Sequence, residues 1–204
     1  MTSVTTQIKE MFTGDSELKT LHDNFVEMLR DIYDAEHQVL EALPHMAENS
    51  QNSELKAAFR KHETQTKGQI ERLEQVFDSI GEEPERKTCQ AAKGLIEEGQ
   101  EVIDTAAEPA RDAGLLAAGQ AFEHYEMARY GTLAAWAREM GHKEAARLLE
   151  QTLAEEEQTD ELLTKLADKS VNRTAAEGLG EAHAAMIASQ RKTATHKGNR
   201  SHKH

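Results

Sequence analysis

The sequence predicts an all-α protein folded as a four-helix bundle with a long helical crossover between its second and third helices. Three observations carry that reading. Of 204 residues only 4% are aromatic and three are Pro, while Ala, Glu, Leu, Gln and Lys abound, which suits helices better than a sandwich or barrel. Apolar residues recur three and four apart through four long segments, the repeat of one helix face. Between the second and third of these lies a shorter helical segment, long enough to cross the end or flank of a bundle.

Residues 1–17 are polar, with Thr, Ser and the pair Gly14-Asp15, and read as a flexible leader. The bundle occupies 18–170. Its first helix starts near Leu18 and turns Phe25, Leu29, Ile32, Glu36, Val39 and Leu43 inward; Pro44 is a candidate kink and Asn49 to Ser53 a polar break. The second runs from about Ser53, its expected cap, to Ile80 with Gly81 as its stop. Its stripe is Leu55, Phe59, His62, Thr66, Gln69, Leu73, Val76 and Ile80. Gly81-Glu82-Glu83-Pro84 opens the crossover, Cys89 to Thr105 forms its helix around Leu95, Ile96, Val102 and Ile103, and Glu108-Pro109 closes it. A bundle with one such crossover has the ferritin-like topology.

The third helix, about Ala110 to Met140, ends at Gly141 and places Leu116, Gly119, Glu123, Glu126, Tyr130, Leu133, Ala137 and Met140 inward. The fourth, about Lys143 to Lys169, shows Ala145, Leu148, Thr152, Glu155, Thr159, Leu162 and Leu166. After Asn172 the pattern dissolves, apart from a weak apolar patch around Leu179, Ala184, Met186 and Ile187. Residues 171–204 read as a C-terminal extension ending in a basic, disordered tail.

Each of the four stripes is apolar at its ends and polar at its centre. Alone, Glu36 would be a boundary residue reaching for water and His62 a satisfied histidine. In an antiparallel bundle, however, the centres meet at one level, gathering Glu36, His62, Glu123, Glu126 and Glu155, with Thr66, Gln69 and Thr159 near them. Burying an ionised Glu without a partner costs several kcal/mol, and four or five together require cations. Carboxylates bridge hard cations and imidazole suits borderline ones, so two Fe or Mn ions are the expected cofactors, with Glu126 or another Glu bridging and His62 terminal. Glu156 competes with Glu155 as the ligand, because one residue turns a helix by about 100°. Tyr125 and Tyr130 are candidates for hydrogen bonding to the ligands, or for packing with one satisfied hydroxyl. His37 and His124 adjoin ligand positions and point sideways. Cys89 reads as a buried small hydrophobe, with a reactive thiol as the alternative.

Ala35-Glu36-His37-Gln38, Gly68-Gln69-Ile70-Glu71-Arg72-Leu73, Gly94-Leu95-Ile96-Glu97-Glu98, Glu123-His124-Tyr125-Glu126 with Tyr130-Gly131-Thr132-Leu133, and Thr152-Leu153-Ala154-Glu155-Glu156 resemble the YciE/YciF-like family of ferritin-like proteins. The resemblance covers roughly Leu18 to Lys169. It implies a rubrerythrin-related bundle, a dimer, a dinuclear metal site, membership of bacterial stress regulons, and no established reaction. Rubrerythrins carry a Glu-x-x-Glu that Glu123 and Glu126 match. They also carry two Glu-x-x-His motifs, whereas Glu63 and Glu156 are followed three residues on by Thr66 and Thr159.

The formal net charge is −13, against a generally nucleic-acid-binding surface. From residue 191 onward five Lys or Arg stand without an acid, leaving 19 basic against 37 acidic residues before them, so weak DNA contact is confined to the tail. One cysteine excludes an internal disulfide, and no run of apolar residues is long enough to span a membrane; a cytoplasmic protein is expected. The functional expectation is redox chemistry on peroxide or dioxygen. The alternatives are a non-enzymatic, stress- or DNA-associated structural protein with a degenerate site, and iron storage, which needs a closed cage.

Overall fold

The computed structural model describes residues 18–178. The expected leader, the patch around Leu179 to Ile187 and the basic tail lie outside them. The described chain is all-helical: α1 (Leu21–Asn49), α2 (Ser53–Ile80), α3 (Gln90–Thr105), α4 (Ala110–Glu139) and α5 (Lys143–Leu166). A π-helical turn, Ala167–Val171, follows α5, and helical structure then continues to residue 178, further than the fading apolar pattern suggests. No helix among the described residues is long and apolar enough to cross a membrane.

Local chemistry fixes the ends. Thr20 and Asp23 cap α1 reciprocally, the Thr20 hydroxyl accepting from Asp23 N while the Asp23 carboxylate accepts from Thr20 N. Asn52, rather than Ser53, caps α2, because its Oδ1 is the acceptor for the backbone N–H groups of Glu54 and Leu55. Gly81 at φ 76° and Gly141 at φ 78° stop α2 and α4 in a conformation that costs an L side chain energy. Pro44 does not end α1, which runs through it to Asn49.

Side-chain contacts set the helix directions. Between α1 and α2, Arg60 pairs with Glu48 and the Tyr33 hydroxyl donates to Glu74. Between α2 and the α5 end, Lys169 pairs with Glu54 and Arg72 donates to Thr152. Between α4 and α5, Gln120 donates to Thr164 and Arg138 pairs with Glu150. Between α1 and α4, the Tyr130 hydroxyl donates to Glu36, and the Asp112 carboxylate accepts from Gln51 N and Asn52 N in the turn just beyond the end of α1. In every pair, numbers rise along one helix as they fall along the other, so all neighbours are antiparallel in the cyclic order α1, α2, α5, α4. Then α2 and α4, on the diagonal, run the same way, and the chain must return along the bundle before α4 begins. The 16-residue α3 spans about 24 Å of that return.

Asp34 on α1 anchors the crossover, accepting from Arg86 Nε at 2.9 Å, Cys89 N at 2.8 Å and Gln38 Nε2 at 2.6 Å. Phe25, Leu29, Leu73, Val76, Leu133 and Leu149 are buried toward one end of the bundle, and Leu43, Leu55, Phe59, Leu116 and Leu163 toward the other. Each contributes roughly 1.5–3 kcal/mol of burial. Between these apolar ends lies a buried polar layer.

Candidate metal centre

The polar layer is assembled from the centres of four helices. Glu36 comes from α1, His62, Thr66 and Gln69 from α2, Glu123, Glu126 and Tyr130 from α4, and Glu156 and Thr159 from α5, all of them buried. His62, Glu123, Glu126 and Glu156 each offer a ligand atom, and those four atoms lie within 4.8 Å of one another. His62 Nε2 is 3.3 Å from Glu123 Oε1, and its Nδ1 is 4.0 Å from Glu156 Oε2. Glu36 faces the same interior, one oxygen accepting a short hydrogen bond from the Tyr130 hydroxyl and the other without a partner.

Burial controls the ionisation of this layer. Glu36 and Glu126 are pushed well above the ordinary carboxylate range by burial and then by neighbouring carboxylates. Glu123 is raised by burial and by Glu156 beside it, and Glu156 itself is pushed up to about 8 by burial. The His62 imidazole is pushed down to about 4 by burial and by Lys61. His62 and Glu123 stand at ion-pair distance, but burial disfavours the charged form of each.

The structure corrects one helix face. Glu156, not Glu155, points into the centre; Glu155 is part-exposed and accepts from both guanidinium nitrogens of Arg72, at 3.1 and 2.9 Å, and from Gln69 at 3.1 Å. The buried residues of α5 are thus Ala145, Ala146, Leu148, Leu149, Thr152, Glu156, Thr159, Leu163 and Leu166, with Leu162 only half-buried. Gln69 also donates to Glu156 Oε1 at 2.5 Å, holding the carboxylate on the inner face. Thr66 and Thr159 line the layer without bonding to its carboxylates, their hydroxyls donating to the carbonyls of His62 and Glu155. Tyr125 is turned away, its hydroxyl 2.9 Å from both Asp31 Oδ2 and Cys89 Sγ. His124 is exposed and pairs with Asp160, and His37 packs edge-on against Tyr33.

Arg72 is the neighbour that sequence reasoning passed over. It lies three residues beyond Gln69 on the same flank of α2, and its charge draws the Glu36 and Glu156 ionisations down against the effect of burial. Cys89 is buried at the start of α3, its sulfur in hydrogen-bond contact with Asp31 and Tyr125 and its thiol raised by burial, surroundings that disfavour the reactive thiolate.

Orphaned polar atoms test whether cations fit. Among buried side-chain atoms without hydrogen-bond partners are both nitrogens of His62, both oxygens of Glu126, and one oxygen each of Glu36, Glu123, Glu156 and Gln69. Buried groups left this way cost about 1–3 kcal/mol each, and here they converge. Ligands at about 2.1 Å from an ion lie up to about 4.2 Å apart, so a 4.8 Å spread needs less than an ångström of closure. One imidazole among carboxylates is a donor set for hard to borderline divalent cations.

Fold and centre together define the ferritin-like class of helical bundle, with a buried acid-rich layer able to hold metal. The chain belongs to the YciF-like family, described as a domain of unknown function (DUF892), which matches residues 20–176. It is 47% identical over 160 residues to the protein YciF of Escherichia coli K12, covering 78% of this chain and 96% of that one. The crystal structure of the E. coli stress protein YciF superposes with a TM-score of 0.73 over 76% of this chain and 98% of that one. YcfI of Rhodopseudomonas palustris is 43% identical with a TM-score of 0.71, covering 75% and 97% of the two chains. A Xanthomonas campestris protein at 21% identity and TM-score 0.62, over 78% and 98%, shares the fold.

Proposed function

We propose that this chain is a stress-associated ferritin-like protein that holds two Fe or Mn ions at Glu36, His62, Glu123, Glu126 and Glu156 and uses them to reduce peroxide or activate dioxygen. The observation that carries the reading is the convergence of unpartnered buried carboxylates on a neutral imidazole. Charge supports two ions over one: four ionised carboxylates balance two divalent cations, whereas one ion would leave two buried charges or two protons. Bound there, Fe or Mn would supply the electrons for oxidant chemistry. The chain's own part is to hold the ligands and exclude water. Gln69 fixes Glu156 and Tyr130 fixes Glu36, while Arg72 offsets negative charge on the α5 side.

The single buried thiol suits a cytoplasmic setting, and a homodimer is the assembly the reading includes. Elemental analysis of protein purified without added metal tests the centre, with close to two ions per chain expected. Less than half an ion after anaerobic reconstitution with Fe or Mn would sink it. Peroxide consumption by the loaded protein then tests the chemistry, and must disappear when Glu126 is replaced by Gln.

A further inference from the structure

Above the metal layer lies a chamber larger than peroxide or dioxygen needs. It occupies about 410 Å³ between α1 and α4 and is roofed by α3. Its walls are hydrocarbon: Ala42 and Met46 from α1, Ile96 and Ile103 from α3, Ala118 and Phe122 from α4. Its inner end is formed by His62, Glu123 and Thr159, and its mouth carries Gln38, Glu41, His45 and Gln100. Of these, Glu41, His45 and Gln100 are exposed, whereas His62 and Glu123 are 3% exposed each. The cavity therefore leads from solvent to two of the four residues whose ligand atoms converge.

We propose that this chamber binds a neutral, largely apolar organic molecule, with a single polar group turned toward His62 and Glu123. Size sets the scale. A dry cavity of about 150 Å³ holds benzene, so a chamber of this volume takes on the order of 15 heavy atoms. Charge sets the class. No Lys or Arg lines the chamber, and an acid stands at each end, Glu41 at the mouth and Glu123 within, so an anion finds no permanent positive charge there, and a cation would lose its hydration against the hydrocarbon walls. A neutral ligand forfeits neither. In the metal-free chain its polar group has partners, since both His62 nitrogens and one Glu123 oxygen are without hydrogen bonds. Small side chains keep the volume open: Ala42, Ala58, Gly99, Ala118 and Gly119 all line it, and α3 is held over it by the Asp34 clamp. The binding site stands on the cavity alone, and only its use beside a redox centre rests on the reading above.

The test uses the metal-free full chain, with metal loading measured separately, and three probes of equal ring size: 2-naphthol, 2-naphthoate and 2-naphthylmethylammonium. Fluorescence titration is expected to show saturable 1:1 binding of 2-naphthol and at least tenfold weaker binding of both charged probes. Amide shifts in the wild type should move at Ala42, Ile103 and Ala118, and not around Glu82 on the remote face. Ala118→Phe and Ile103→Phe should each weaken binding at least tenfold; the shift map on unaltered protein decides the matter if either variant unfolds. Absence of saturable binding, equal affinity for a charged probe, or shifts elsewhere would overturn the proposal. So would 2-naphthol binding that vanishes as the protein self-associates, because a second copy would then own the surface. Metal loading without naphthol binding defeats this proposal alone, and naphthol binding without metal loading defeats only the metal reading.

Discussion

Glu126 is wholly buried and both its oxygens lack a partner, so without metal it is the least compensated side chain of the polar layer. Replacing it by Leu removes a desolvated acid at nearly constant volume. The metal-free Glu126→Leu protein is expected to be about 1–3 kcal/mol more stable than the metal-free parent, read by urea unfolding, while its metal content falls by at least half. Equal or lower stability would mean that the acid is better satisfied than its geometry allows. Cys89 gives a second test at this scale. Burial raises its thiol, so its reaction with a disulfide reagent at neutral pH should be at least a hundredfold slower in the folded chain than in urea. Spacing made the layer's positions on α1, α2 and α4 legible, because apolar residues bracket Glu36, His62, Glu123 and Glu126 on both sides. On α5 that contrast fails: Glu155, Glu156 and Glu157 run together, and Thr152 and Thr159 lie three or four residues from either candidate. The choice belongs to another helix, where Arg72 takes Glu155 outward and Gln69 holds Glu156 inward.

Among the elements, α3 shows what one carboxylate can organise. Burial works against the Asp34 charge, but Cys89 N, Gln38 and Arg86 together hold its carboxyl below the ordinary range. Asp34→Ala strands the buried Cys89 N–H and releases Arg86, leaving Lys87 to hold the segment to α1 through its backbone bond to Arg30 O and its pair with Glu27. The expected cost is about 1–3 kcal/mol in denaturant unfolding, with faster amide hydrogen exchange confined to 86–92 and the chamber roof. Exchange unchanged in that stretch would show that the Lys87 contacts and apolar packing hold α3 without the Asp34 clamp. The crossover's existence was legible from Gly81, Pro84 and Pro109 bracketing a short helical pattern. Its clamp was not, because Asp34 and Arg86 are 52 residues apart and neither is unusual in its local sequence. The chamber beneath it was equally hidden: its volume is a distance between α1 and α4, which no single helix encodes, although small residues on four helices leave room for it.

For the whole molecule the polar layer couples folding to pH and to metal. In the metal-free chain Glu156 ionises near 8 instead of 4.5, and Glu36, Glu123 and Glu126 are also raised. From about pH 4.5 toward 8 the fold keeps protons that the unfolded chain has released, so stability falls as pH rises, by about 1.4 kcal/mol per pH unit for each proton retained. His62 works in the opposite sense. Its folded value near 4 lies below the ordinary 6.5, so it removes stability as pH falls from 6.5 toward 4. One imidazole opposes several carboxylic acids, and the net expectation is a metal-free protein more stable near pH 5.5 than near pH 8. Metal binding must expel those protons, so loading at pH 7 should release more than one proton per chain, measured by calorimetry in buffers of different ionisation enthalpy. Stability of the loaded protein should then rise over the same pH interval, because cations favour the ionised carboxylates. Urea midpoints at the two pH values, with chelator and with metal, check both slopes, and Glu126→Leu should flatten the metal-free one. A metal-free midpoint unchanged between them would mean that the buried acids are ionised without cations, removing the electrostatic reason for metal in this bundle.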